Sequence, residues 1–211
     1  MQITSAQIVR FIEGAAATIS EQRDYLTQLD SPIGDADHGA NMHRGFSAVV
    51  ASLPSVVDQD IGAILLMVSS TLIAKVGGSS GPLYGTAFLR ASRLIGPRHT
   101  IEAADMLAAL DAAYEGVASR GKSQRGQKTM LDTIGPAADA LRAALDAGEP
   151  FPTVLDRFLG AAEQGMASTR DMLALRGRAA FLGERSIGHQ DPGATSAFLL
   201  IRELVKAITE G

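Results

Sequence analysis

Apolar residues recur at helical spacing along almost the whole chain, and that period limits the fold more than any other feature of the sequence. Ile8, Ile12, Ala15, Ile19, Leu26 and Leu29 follow a repeat of about 3.5 residues, behind a capping-box pattern Thr4-x-x-Gln7. Met42, Phe46, Val49, Val50 and Leu53 mark a second helix, ended by Pro54. Ile61 to Leu72, Leu83 to Leu94, and Leu107 to Val117 mark three more, the last with Thr100 as its expected N-cap. Met130 to Leu145, Leu155 to Met166 and Phe198 to Ile208 complete the set. No stretch sustains β alternation between hairpin turns. The expectation is an all-α fold: a single domain over residues 1–211, built as an eight-helix antiparallel barrel or bundle.

The connections divide into two kinds. Leu53 to Asp60 and Ala147 to Pro152 are plain. Asp30 to Gly39, Gly77 to Gly81, Gly121 to Gly126 and Gly183 to Gly193 are rich in glycine and polar residues. These four follow the first, third, fifth and seventh helices. In an up-down bundle alternate loops emerge at the same end, so all four should meet at one rim.

Composition narrows the function. A net charge of −4 without a basic block argues against nucleic acid as a partner. With no cysteine there is no thiol nucleophile, disulfide or thiolate metal site. The N-terminus lacks the basic and apolar regions of a signal peptide. The apolar run Ile61 to Val76 is too short and too interrupted to span a bilayer. A cytoplasmic protein without a membrane partner is expected.

The first unusual loop holds Asp30, Asp35 and Asp37 within eight residues, followed by His38, Gly39, Ala40 and Asn41. Three carboxylates this close repel one another unless a cation sits among them, and a helix cap needs only one. Carboxylate oxygens suit Mg²⁺, which commonly also holds substrate phosphates. The EF-hand pattern fails: counting from Asp35, its fifth, sixth and twelfth positions are Gly39, Ala40 and Phe46. The DDxxD arrangement of helical prenyl-transfer enzymes is also absent.

Gly77-Gly78-Ser79-Ser80-Gly81 precedes a helix, where backbone N–H groups, two hydroxyls and the helix dipole can receive an anion. Neither the GxxxxGK[ST] phosphate loop nor GxGxxG occurs. Lys122, Arg125 and Lys128 crowd a third loop, where at least two are expected in solvent, with Met130 as apolar packing or a face for a flat base. Asp191-Pro192-Gly193 starts the last helix, and Asp191 there is either a sugar or base acceptor or an ordinary turn residue. His38 and His189 are placed to touch ligand; His43 and His99 are read as incidental.

Together these loops resemble the ADP-binding L subunits of the phosphoenolpyruvate-dependent dihydroxyacetone kinases. The resemblance rests on Gly34-Asp35-Ala-Asp37-His38-Gly39-x-Asn41-Met42, Gly77-Gly78-Ser79-Ser80-Gly81-Pro82-Leu83-x-Gly85 and Lys128-Thr129-Met130-x-Asp132. It extends through Gly177-Arg178-Ala179-x-x-Leu182-Gly183-Glu184-Arg185-Ser186 and Gly188-His189-Gln190-Asp191-Pro192-Gly193-Ala194-Thr195-Ser196. It implies an eight-helix barrel with nucleotide at one rim. It further implies two Mg²⁺ on Asp30, Asp35 and Asp37, through which these aspartates serve catalysis. His38, Gly39, Ala40 and Asn41 would line the nucleotide, and Ser79 and Ser80 would touch phosphate. Gly121 and Met130 would border adenine, and Arg178, Asp191, Pro192 and Gly193 would close the pocket. The basic loop is variable in the family, so no role is carried over to Lys122 or Arg125.

Charge supports two cations: ADP at about −3 and three aspartates make roughly −6, against which two Mg²⁺ return +4. The family retains ADP as a coenzyme. A phosphohistidine on an M subunit of the phosphotransferase system rephosphorylates it, and the resulting ATP serves dihydroxyacetone held on a K subunit. The sequence leaves the oligomeric state open, a homodimer included. The rival readings are the nucleotide domain of an ATP-dependent dihydroxyacetone or fatty-acid kinase with exchanging ATP, a non-catalytic nucleotide-sensing module, and a Mg²⁺-dependent phosphohydrolase.

Overall fold

The computed structural model describes residues 2–210. Among them nine α-helices follow in order: α1 (Ser5–Glu21), α2 (Arg23–Asp30), α3 (His38–Ser52), α4 (Ile61–Lys75) and α5 (Ser80–Ile95), then α6 (Ala103–Gly121), α7 (Leu131–Asp146), α8 (Phe151–Ser168) and α9 (Pro192–Thr209). Short 3₁₀ turns cover Leu53–Ser55, Thr169–Asp171 and Arg178–Ser186. The all-α expectation holds, with one helix more than the periodicity indicates.

The extra helix comes from a break at Gln22, whose ψ of 7° leaves the helical range. The chain turns there, and α2 packs on α3 and α9 instead of extending α1. Glycine permits that approach: a Cβ on Gly39 would lie 1.9 Å from the Arg23 carbonyl oxygen. Nothing in the apolar spacing of Leu26 and Leu29 reports such a change of direction.

Each main helix packs on its neighbour in the chain, α1 on α3, then α3 to α9 in succession, and α9 returns to α1. The result is a closed ring. Its core includes Ile12, Phe46, Ile64, Leu72, Leu131, Leu141 and Phe158, all fully buried. On the barrel axis Phe11, Leu65, Phe88 and Ile201 border a wholly apolar cavity of about 160 Å³. No helix among the described residues is long and apolar enough to cross a membrane.

The ends of the ring differ. At the end distant from the four unusual loops, a two-stranded ribbon pairs β1 (Gln2–Thr4) antiparallel to β2 (Thr100–Glu102), with Ile3 opposite Ile101. The ribbon corrects one expected cap: Thr100 lies in β2, and Glu102 precedes α6 in a capping box with Asp105. The Thr4–Gln7 box forms as expected, with the Gln7 N–H donating to Thr4 Oγ1 at 3.3 Å. At the opposite rim α3, α5, α7 and α9 all begin. Four helix N-termini, each carrying partial positive charge, therefore face one end of the barrel.

One contact couples this rim to the core. Pro136 lies inside α7 and cannot donate to the Asp132 carbonyl four residues earlier. Helix α8 approaches that carbonyl at Gly165, where a Cβ would sit 2.2 Å from the oxygen. Gly165→Ala should force α7 and α8 apart and cost about 1–3 kcal/mol, as overpacking does, which thermal denaturation will show as a lowered Tm.

Candidate functional site

Asp30 closes α2 and organises the loop beyond it. Its Oδ2 accepts the N–H groups of Asp37 at 2.9 Å and His38 at 3.2 Å. Gly34 passes so near that a Cβ would lie 1.9 Å from Asp30 Oδ1, and Ala36 takes a left-handed φ of 59°. This folding returns Asp35 and Asp37 to Asp30, so that one carboxylate oxygen from each lies within 4.8 Å of the others. Arg178 Nη2 approaches Asp35 Oδ2 at 2.8 Å. The pair is solvent-exposed and contributes little stability, yet it shows that the cluster accepts a cation. Three hard oxygen donors in this space fit Mg²⁺.

The cluster opens into a cavity of about 890 Å³, within the range that holds a cofactor. The four loops expected to meet at one rim do so around it. Asp30, Asp35, Asp37, His38, Ser79 and Ser80 stand on its wall. Gly121, Met130, Arg178, Asp191, Pro192 and Gly193 stand there as well. Gly39, Ala40 and Asn41 do not. Gly39 faces α2, Ala40 is exposed away from the cavity, and Asn41 is buried beneath the glycine loop. A Cβ on Gly77 would meet Asn41 Oδ1 at 2.8 Å, and Arg44 also bonds that oxygen. Asn41 thus shapes the loop from behind.

His38 bridges three elements. Its Nδ1 lies 3.1 Å from Ser80 Oγ and its Nε2 2.9 Å from Ser196 Oγ, which in turn lies 2.7 Å from the Tyr84 hydroxyl. Burial lowers the His38 pKa, against the opposing pull of Asp30 and Asp37. A neutral ring has one donor and one acceptor nitrogen, which suits hydroxyls on both sides. Burial likewise raises the Tyr84 pKa.

Lys128, Asp132, Tyr84 and Ser196 organise the site; the sequence motifs include Lys128, Asp132 and Ser196 without giving them a role there, and Tyr84 is not marked at all. Lys128 is buried, takes a left-handed φ of 61°, and its Nζ donates to the carbonyls of Thr169 at 2.6 Å, Met172 at 3.2 Å and His189 at 2.5 Å. It thereby ties both ends of the segment between α8 and α9. Burial depresses its pKa, and Asp191 opposes that shift. Lys122 and Arg125 are exposed as expected. Asp132 accepts the N–H groups of Gly126 and Thr129 at 2.5 and 2.8 Å. The Thr129-x-x-Asp132 spacing, typical of a helix start, was the available signal.

A family model for the DAK2 domain matches residues 32–206. The chain belongs to the DAK2-domain family. It is 43% identical over 210 residues to the ADP-binding subunit of the phosphoenolpyruvate-dependent dihydroxyacetone kinase of Escherichia coli, covering 100% of both chains. It is 39% identical to the ADP-binding subunit of the PTS-dependent dihydroxyacetone kinase of Lactococcus lactis, over 90% of this chain and 91% of that one. The solved dihydroxyacetone kinase of C. freundii, in complex with AMP-PNP and Mg²⁺, shares the fold at a TM-score of 0.72 and 23% identity. That match covers 95% of this chain but 33% of the kinase.

Asp191 caps α9 by accepting the Ala194 N–H at 2.7 Å, and burial raises its pKa to about 7. The folded state then holds a proton that the unfolded chain releases near the usual carboxylate pKa, so this group lowers stability as pH rises from about 4 to about 7. Asp191→Asn keeps an acceptor for the cap. Denaturant titrations of the metal-free protein across that range should show a smaller loss of stability with rising pH in the variant than in the unsubstituted protein.

Proposed function

We propose that residues 1–211 act as one nucleotide-binding domain, the ADP-holding subunit of a cytoplasmic multi-subunit dihydroxyacetone kinase. The observation that carries the reading is the meeting of the aspartate cluster and the glycine-serine helix start on one cavity. End-to-end similarity to ADP-binding subunits supports it. Asp30, Asp35 and Asp37 would hold two Mg²⁺. Bound MgADP would supply a phosphoryl carrier, charged by the phosphohistidine of an M subunit and discharged to dihydroxyacetone on a K subunit.

The protein's own residues position and neutralise charge, which is most of what phosphoryl transfer requires. Ser79 and Ser80 stand at the start of α5, where free N–H groups and hydroxyls can receive phosphate oxygens. His38, fixed between Ser80 and Ser196, holds that start against α9. Asp30 spends one oxygen on the loop backbone and leaves the other toward the cluster. Arg178 is free to exchange Asp35 for a phosphate once a stronger cation occupies the carboxylates. Met130 gives the cavity a buried apolar surface suited to a base.

The first test is acid denaturation of protein purified in Mg²⁺ without added nucleotide. Near-stoichiometric release of ADP is expected; weak binding of exchangeable ATP would instead indicate an ATP-dependent kinase domain. Asp37→Ala should abolish phosphoryl transfer with both partner subunits present and remove Mg²⁺-dependent nucleotide binding measured by calorimetry. Transfer at the unsubstituted rate would refute the metal role. The isolated chain should release almost no phosphate from ATP.

A further inference from the structure

The segment between α8 and α9 displays an aromatic side chain where a soluble barrel has no use for one. Phe181 is 90% exposed, whereas the chain's other phenylalanines are buried or half-buried. Leu173, Leu175 and Ile187 in the same stretch are exposed as well. The segment is nevertheless held in place. Ala179 and Leu182 pack with Ile33 and Ala174, while Ser186 Oγ accepts the Ala174 N–H at 3.0 Å and donates to the Gly183 carbonyl at 2.7 Å.

Side chains three residues apart eclipse in a 3₁₀ turn. Ala179 and Leu182 therefore form one edge, which is buried, and Arg178 and Phe181 form another, which is not. Arg178 bonds Asp35 of the acidic cluster, and Phe181 lines the same cavity beside Arg178 and Ala179 while 90% of it stays open to solvent, which puts it at the mouth. We propose that Phe181 anchors a docking surface for the protein that holds the phosphoryl acceptor. This rests on the reading of the chain as one part of a multi-subunit kinase.

The relatives say why such a surface is needed. In the C. freundii kinase the matched domain is 33% of a single chain, joined covalently to the rest. In the reading proposed above the acceptor sits on a separate subunit, as the names of the ADP-binding relatives suggest, and a noncovalent contact takes the place of that link. The contact belongs at the mouth, because the acceptor has to reach the end of the cavity where the carboxylates lie. Aromatic anchors ringed by arginine are common at the energetic centres of interfaces. Residues 170–187 hold four arginines against one Asp and one Glu, so the fitting partner has an apolar recess with an acidic border.

The test uses the full chain, MgADP and the purified dihydroxyacetone-binding subunit of the kinase, with both affinities measured by calorimetry. Phe181→Ser should weaken subunit binding at least tenfold, leave MgADP affinity within twofold and leave the circular dichroism spectrum unchanged. Phe181→Tyr should restore most of the subunit affinity. Leu66→Ser, at an exposed apolar residue of α4 outside the cavity, should change neither. Unchanged subunit affinity in Phe181→Ser overturns the proposal, as does a parallel loss of MgADP affinity, which would make Phe181 a nucleotide contact. If the unsubstituted chain binds MgADP but not the subunit, the docking proposal fails while nucleotide binding stands. If it binds no nucleotide, the functional reading fails with it.

Discussion

Closure of the helix ring by α9 against α1 is the contact on which the rest of the molecule depends. Burial of Ile12, Ile19, Val205 and Ile208 supplies the apolar part of that seam. Two polar bonds accompany it: Thr18 Oγ1 to Glu203 Oε1 at 2.8 Å and Gln7 Nε2 to the Ile208 carbonyl at 3.1 Å. Gly14 leaves room for the Glu203 carboxylate, which a Cβ there would meet at 2.9 Å. A closed antiparallel ring has two ends and nothing else on which to place irregular chain. The loops that carry chemistry are thereby collected on one end and the structural ribbon on the other.

The site end is electrostatically divided. Three carboxylates lie on one side of the cavity, and helix starts and Arg178 supply positive potential around it. An anion alone would face the aspartates, and a cation alone would face the helix termini. A metal–phosphate pair satisfies both sides, so the cavity suits the combination better than either component. The buried Asp191, its pKa raised to about 7, adds less negative charge to the cavity below neutral pH.

Helical period made the barrel legible because each helix presents one buried stripe, and the loop compositions were legible because tight backbone approaches demand glycine. Gly34 and Gly77 illustrate the second point: each passes within 3 Å of a side-chain oxygen if a Cβ is built on it. What escaped was direction. The turn at Gln22 lies inside an unbroken apolar repeat, and the three-residue ribbon is too short to establish an alternation. Lys128 escaped for a different reason. It shares a polar loop with the exposed Lys122 and Arg125, and only the tertiary meeting of three carbonyls makes burial of its ammonium tolerable. Gly39 and Asn41 show the converse, motif residues beside the site that pack against α2 and the glycine loop.

The Lys128 clamp has a kinetic consequence. A segment joined at both ends to one buried ammonium cannot swing aside as a rigid flap, since its stem is already a closed loop. Its inner edge rests on Ile33 through Ala179 and Leu182, with Arg178 on Asp35 and the Leu175 N–H on the Gln127 carbonyl as further ties. For an occupant beneath the segment, release through this side requires those ties to open locally, which adds a barrier separate from the direct contacts to the occupant. Residence time and equilibrium affinity can consequently be adjusted separately, by different residues.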